Sequence, residues 1–350
     1  VSTYDLAIQE READLVIATF GRAIWIMDDI RPLRKAAAEK GMLTKKLTVF
    51  PAPDAYQAQY RAATGYEWST MGLYDAPNRS RGAAISFFIG GAKDTAAKKT
   101  RNDSVTVKIY NDKNENIRNL KWKSDAGFNR EYWSMDEKGY RQPGSPKPRP
   151  GAQEARGFQV LPGRYKIVIA LNKESDSTFI NVNDDPRFEN RNAIKLAQQK
   201  MYDRLRKSGD KLTEGMDQLT ESEELCGKMM AQLKDVTGKD ADSLRKTTKA
   251  MQDSIKAIKE FISGAPSDKQ GINRDRGQTV MRSYQTAAQY IGSKNVAPGA
   301  QEEKLVMMAE DDINEAVQRI NKFYANQWKA YRQQVENTKL NLFKDYKSID

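Results

Sequence analysis

The chain has 350 residues, 39% of them hydrophobic and 30% charged, with a formal net charge of +11, one cysteine and no histidine. Without histidine there is no Ser-His-Asp or Cys-His triad, no HExxH zinc site and no imidazole proton relay, and a lone cysteine forbids an internal disulfide. The mean hydropathy is -0.78, and no apolar run approaches the ~20 residues of a membrane-spanning helix; the length leaves room for two or three domains with cores of their own.

Residues 1–53 read as strand-rich. Leu6-Ala7-Ile8, Leu15-Val16-Ile17-Ala18 and Ala23-Ile24-Trp25-Ile26-Met27 are short apolar runs between polar turns, as buried antiparallel strands require. A tight turn at Phe20-Gly21 joins the last two, and Asp28-Asp29 and Pro32 stop the pair. A short helix is expected over residues 32–40, with Pro32 in its first turn and Gly41 ending it. Leu47-Thr48-Val49-Phe50 is a further strand, closed by Pro51 and Pro53. So few strands cannot bury both of their faces. They are expected to complete a larger β-structure contributed by upstream residues or by a partner chain. The sequence begins at Val1 with no initiator Met and no signal-peptide pattern, as a processed or partial polypeptide would.

Residues 54–81 form a connector with scattered aromatics, Tyr56, Tyr60, Tyr66, Trp68 and Tyr74. Such rings wedge a connector onto its neighbours more often than they stack on sugars. Residues 82–187 alternate as a β-sandwich does. Ala83 to Ile89, Val105 to Tyr110, Ile117 to Leu120, Gly127 to Trp133, Arg164 to Leu171 and Ser177 to Val182 are its strands. Their length and spacing predict an immunoglobulin-like or fibronectin type III-like fold, with Trp133 in the core and a Pro-rich loop over residues 142–150.

From Phe188 to the end, residues 188–350, the period turns helical. Leu205, Leu212, Leu219, Cys226 and Leu233 recur every seven residues, with Ser208, Gly215 and Ser222 at the complementary seam. Cys226 is therefore expected to be a buried, inert thiol. Gly209 and Gly215 are expected to divide or kink this helix. Further helices follow over Leu244 to Ile262, over residues 278–291, and over a long run from Val306 to Val335. Four amphipathic helices with short joints predict an up-down-up-down four-helix bundle.

The chemistry-bearing patterns are sparse. Lys and Arg are interspersed with Asp and Glu, which argues for a generally basic surface against a nucleic-acid site and leaves acidic glycans or lipopolysaccharide open as partners. Glycoside hydrolysis needs two carboxylates facing each other across a bond, about 5 to 10 Å apart. Asp28-Asp29 are instead adjacent, and in a strand adjacent side chains point to opposite faces; Asp184-Asp185 before Pro186 read the same way, and Asp311-Asp312 as an exposed helical pair. No Asp-box, P-loop, GxGxxG, EF-hand or CxxC pattern occurs. These residues assign no catalytic group, cofactor or metal.

Residues 14–33, DLVIATFGRAIWIMDDIRPL, resemble the last propeller blade of the bacterial sortilin-like, BNR-repeat "glycosyl hydrolase" proteins, whose usual form is near D-L-V-I-G-T-H-G-R-x-I-W-[IV]-[LM]-D-D-[IL]-x-P-L. Phe20 stands where that family usually has histidine, so any role carried by that histidine is lost. Leu47-Thr-Val-Phe-Pro51, Gly82-Ala-Ala-Ile-Ser-Phe-Phe88, Gly127-Phe-Asn-Arg-x-x-Trp133, Leu161-Pro-Gly-Arg-Tyr165 and Asp185-Pro186-Arg187 are similar to later family motifs. The helical tail matches in pattern. The resemblance implies the C-terminal part of a secreted, periplasmic or outer-membrane-associated bacterial propeller protein. Its expected role is non-catalytic binding or scaffolding of a protein or glycan ligand, with Arg22, Trp25, Tyr66 and Trp68 as the candidate ligand surface. The alternatives are a glycan- or peptide-directed hydrolase whose active site lies in upstream blades, and an assembly subunit that docks through its helices.

Overall fold

The computed structural model of the chain describes residues 2–39, 41–58, 79–90, 103–189, 191–234, 236–265 and 277–338. β-sheets, one of them curled as a half-barrel, precede a helical region. The chain divides into two compact units, Val1–Tyr140 with Pro150–Asn192, and Arg141–Arg149 with Ala193–Asp350.

In the first unit, β1 (Thr3–Gln9), β2 (Asp14–Thr19) and β3 (Ile24–Met27) form an antiparallel three-stranded sheet in that order. Helix α1 (Arg31–Ala38) follows, with Pro32 in the first turn, where its missing N–H breaks no helical bond. Next come β4 (Leu47–Val49), β5 (Ala55–Tyr56), β6 (Ala83–Ile89), β7 (Asp103–Tyr110), β8 (Asn116–Ser124) and β9 (Gly127–Trp133). The set ends with β10 (Asp136–Lys138), β11 (Arg156–Gln159), β12 (Gly163–Leu171) and β13 (Glu174–Asn183). Strands β4-β6-β9 make one sheet, β5-β13-β12-β7-β8 a second, and β10-β11 a two-stranded ribbon. The strand over residues 47–49 thus pairs with β6 and not with the first hairpin. Strands β5, β10 and β11 have two to four residues, too few to show a period of two in the sequence.

The two larger sheets share one hydrophobic core. Val105, Val107 and Ile109 of β7 and Ile167 and Ile169 of β12 turn inward against Ile85 and Phe87 of β6 and Trp133 of β9. Each such side chain contributes about 1.5–3 kcal/mol by leaving water. Trp133 is fully buried, donates Nε1–H to the Asp136 carbonyl at 2.9 Å and meets the Tyr165 ring edge-on at 5.4 Å. The Tyr165 hydroxyl donates to the Leu161 carbonyl at 2.6 Å.

The second unit is built from α2 (Asn192–Leu233), α3 (Lys239–Ser263), α4 (Val280–Gly292), α5 (Ala300–Phe323), a π turn over Tyr324–Trp328 and α6 (Lys329–Asn337). The expected heptad stripe of α2 is fully buried from Leu205 to Leu233. Gly209 and Gly215 do not divide α2, which runs unbroken for 42 residues. They lie where other helices come close: a Cβ on Gly209 would sit 2.7 Å from the Tyr284 ring, and one on Gly215 2.7 Å from Ile320 Cδ1.

Four helical runs are present, α2, α3, α4 and α5 through α6, but they stand as three columns, not as up-down-up-down. Arg245 of α3 reaches the Leu233 carbonyl and Lys259 reaches Glu223, so α3 is antiparallel to α2. Tyr284 meets Gly209 and Tyr202 donates to the Ala288 carbonyl, so α4 is antiparallel to α2 as well. Arg204 pairs with Glu310 and Ser222 with Tyr324, which sets α5 parallel to α2. Length is the reason. At ~1.5 Å per residue, the 25 residues of α3 and the 13 of α4 are each short of α2, and end to end they nearly match it. The third column, α5 through α6, is a continuous helical run of similar length.

Candidate docking surface

Among the described residues the β1–β3 sheet stands apart from the other sheets, because large apolar side chains lie exposed on both of its faces. The register sets Leu6 opposite Ile17 and Ile8 opposite Leu15, and Trp25 and Met27 opposite the same two β2 residues. That is one face. On the other, Ala7, Val16 and Ile26 form one row, and Asp5, Ala18 and Ile24 form the next. Leu6 is 58% exposed, Ile24 67%, Trp25 61% and Ile26 63%. Strands that are apolar on both faces belong in the middle of a layered structure. Each large side chain left in water forgoes about 1.5–3 kcal/mol of burial. The outer edges of β1 and β3 pair with no strand among the described residues, and an open edge presents a row of backbone donors and acceptors to an incoming chain.

One end of the sheet is fastened by three arginines. Arg130 of β9 donates Nη1–H to the Asp28 carbonyl at 2.6 Å and Nη2–H to the Asp29 carbonyl at 2.7 Å, with Nε on Ser86 Oγ at 3.1 Å. Arg31 binds the Asp29 carboxylate at 2.5 Å and the Glu12 carbonyl at 3.0 Å. Arg79 lies 2.5 Å from Asp14, 3.2 Å from Asp28 and 3.2 Å from Glu12. Burial pulls the Arg79 guanidinium downward, and the Asp28, Asp14 and Glu12 carboxylates outweigh it, so its pKa stands above the ordinary arginine value. Beneath this clamp Ala13 and Ile30 are buried and joined by the Ile30 N–H to Ala13 carbonyl bond at 2.8 Å. Asp29 adopts φ 42°, a costly conformation for a non-glycine residue, and these bonds hold it there.

The acidic pair at the end of the hairpin is therefore engaged by guanidinium groups. Asp28 and Asp29 secure the sheet, as strand-end residues do. The opposite end, with Phe20, Gly21 and Arg22, is exposed. Trp25 Nε1 donates to the Arg22 carbonyl at 3.1 Å, and Tyr4 stacks on Phe20 at 6.2 Å. Arg22 and Trp25 thus come together. Tyr66 and Trp68 lie outside the described residues, as do Tyr60 and Tyr74. Nothing in the local sequence pattern marks Arg79, Arg130 or Glu12 as clamp residues, although Arg130 sits inside the Gly127 to Trp133 motif. Asn129 bonds both the Asp125 amide and carbonyl across the turn, Arg130 clamps the hairpin end and Trp133 fills the core.

Among the described residues, no three Cys, Asp or Glu side chains are placed to hold a metal ion, and no helix is long and apolar enough to cross a membrane. Compared with known proteins, the chain matches no family model, no curated protein and no solved structure.

Proposed function

We propose that this chain is a non-catalytic binding and scaffolding region, the C-terminal part of a sortilin-like, BNR-repeat propeller protein that works outside the bacterial cytoplasm or in the cell envelope. The observation that carries the reading is the β1–β3 sheet, with large apolar side chains exposed on both faces, outer edges unpaired among the described residues and one end tied down. Its occupant is a neighbouring propeller blade, another twisted antiparallel sheet, supplied by the same polypeptide or by a second chain. A blade offers the apolar face and the strand edge that such a sheet lacks. The finer assignment of the two-sheet core as immunoglobulin-like rests on fully buried Trp133 and on the Tyr165 hydroxyl bonded four residues back, the arrangement of a tyrosine corner. Binding is favoured over hydrolysis at the hairpin because the oxygens of Asp14, Asp28 and Asp29 are taken up by Arg79 and Arg31.

The test is a photo-crosslinker in place of Ile26 in the full-length protein expressed in its own host. Sequencing of the crosslinked peptides is expected to find a β-strand segment of a propeller blade. Crosslinks that land on a helical partner, or the absence of any crosslink, would refute the reading.

A further inference from the structure

The outer face of the five-stranded sheet gathers charge that chain order disperses. Strand alternation turns Val105, Val107 and Ile109 inward, so Thr106 and Lys108 point outward; on β8, buried Leu120 and Trp122 leave Lys121 and Lys123 outward. On β12, buried Tyr165 and Ile167 do the same for Arg164 and Lys166. The registers then order these cations. Lys123 shares a cross-strand row with Ser104, Lys121 with Thr106, and Lys108 with Asn119 and Val168. Lys166 shares the next row with Tyr110 and Phe179, and Arg164 follows opposite Asn181.

The result is one cation in each successive row, stepping from β8 across β7 to β12. Rows lie roughly 7 Å apart and strands ~4.8 Å apart, so the charges trace a diagonal line some 30 Å long. None of the five pairs with a carboxylate among the described residues. No Asp or Glu occupies an outward position of the strand bodies. On β13, Asp176 turns the other way to accept the Val49 N–H at 2.7 Å, and Glu174 pairs with Lys46 at 3.4 Å. Glu154 and Asp54 flank the face, each bonded to a surface asparagine at 2.8 or 2.9 Å.

We propose that this diagonal track binds a linear acidic polysaccharide, its carboxylate or sulfate groups spaced along Lys123, Lys121, Lys108, Lys166 and Arg164. A compact anion would meet only one or two of these charges, whereas an extended polyanion meets all of them and releases counterions along its length. Beside the cations lie the hydroxyls of Thr106, in the Lys121 row, and of Ser177, on neighbouring β13, which donate to and accept from sugar hydroxyls. A single-stranded nucleic acid needs aromatic platforms for its bases. Here Phe179 has the Arg164 guanidinium across its ring at 4.1 Å, and Tyr110 is half-buried. This surface is separate from the β1–β3 sheet, and the inference stands or falls independently of the blade reading.

The test is titration of the whole chain with polygalacturonate and dextran sulfate at roughly 50 mM salt, with neutral dextran, oligo-dT and anionic phosphatidylglycerol vesicles alongside. The triple variant Lys108→Gln, Lys121→Gln, Lys166→Gln is expected to bind the acidic polysaccharides at least ~10-fold more weakly, and its salt slope to fall by about two to three. The triple variant Lys211→Gln, Lys228→Gln, Lys246→Gln on the helices removes the same charge and is expected to stay within about twofold of the native chain. Both variants are first checked for an unchanged thermal midpoint, which surface charge removal leaves intact. Equal losses in the two variants, tighter binding of oligo-dT or of vesicles, or no binding of either acidic polysaccharide would overturn the proposal.

Discussion

Glu302 shows how much a single side chain does at the start of a helix. At the third position of α5 it accepts the Gly299 N–H at 2.8 Å, closing an otherwise unpaired donor at the helix start, and it holds the Lys294 ammonium at 2.6 Å. The Lys294 bond first, then the Gly299 amide, outweigh the cost of burial and pull its carboxyl from 4.5 down to about 2. A carboxyl with a lowered folded pKa binds fewer protons folded than unfolded. Its stabilisation is therefore complete above the unfolded value of 4.5 and is lost as pH falls from there through about 2. Glu302→Gln keeps the size and loses the charge. Its thermal midpoint is expected to lie below that of the native chain at neutral pH, and the gap is expected to close as pH falls through that window. Midpoints measured by circular dichroism across the range decide the matter, and a gap independent of pH would refute the assignment.

At the scale of elements, the π turn absorbs a slip in the hydrophobic pattern. Val306, Ala309, Ile313, Ala316, Ile320 and Phe323 are buried at alternating steps of three and four. Continued without change, the next positions would be Gln327, Ala330 and Gln334. The residues that pack are instead Trp328, Tyr331 and Val335, one later each time, with Tyr331 bonded to Thr248 at 2.9 Å. One extra residue in a wide turn restores the face. Deleting Asn326 is therefore expected to replace the π turn by regular helix and keep Trp328, Tyr331 and Val335 on the core side, with the midpoint shifted by only a few degrees. Deleting Asp311, in the regular part of α5, rotates everything after it by about 100° and is expected to abolish the helical unit's cooperative melting. Equal damage from the two deletions would show that the pattern slip is not what the turn accommodates. The slip was legible in the spacing of the aromatic residues. The roles of Gly209 and Gly215 were not, because a glycine that weakens a helix and a glycine that admits a neighbour look alike until the neighbour is placed.

For the whole molecule, what the sequence showed and what it hid divide along the same line. Strands and helices with strong periodicity appear close to their expected bounds, and so does the buried stripe through Cys226, whose thiol is pushed up to about 11 chiefly by burial. The three-column arrangement, the arginine clamp of Arg79 and Arg130 and the diagonal cation track depend on residues far apart in the chain, which no local period records. The two hydrophobic cores share no residue, and this predicts two heat-absorption peaks on calorimetric unfolding. Trp133→Ala empties the largest fully buried site of the β core and is expected to cost about 3–5 kcal/mol there. Gly209→Ala drives a methyl into the buried Tyr284 ring, costing about 1–3 kcal/mol of strain, offset by roughly 1 kcal/mol of improved helix propensity. Each variant is expected to lower one peak and leave the other in place. The peak that Gly209→Ala moves is the one that disappears with the Asp311 deletion, which assigns it to the helices. A single peak lowered by both substitutions would mean that the cores melt as one.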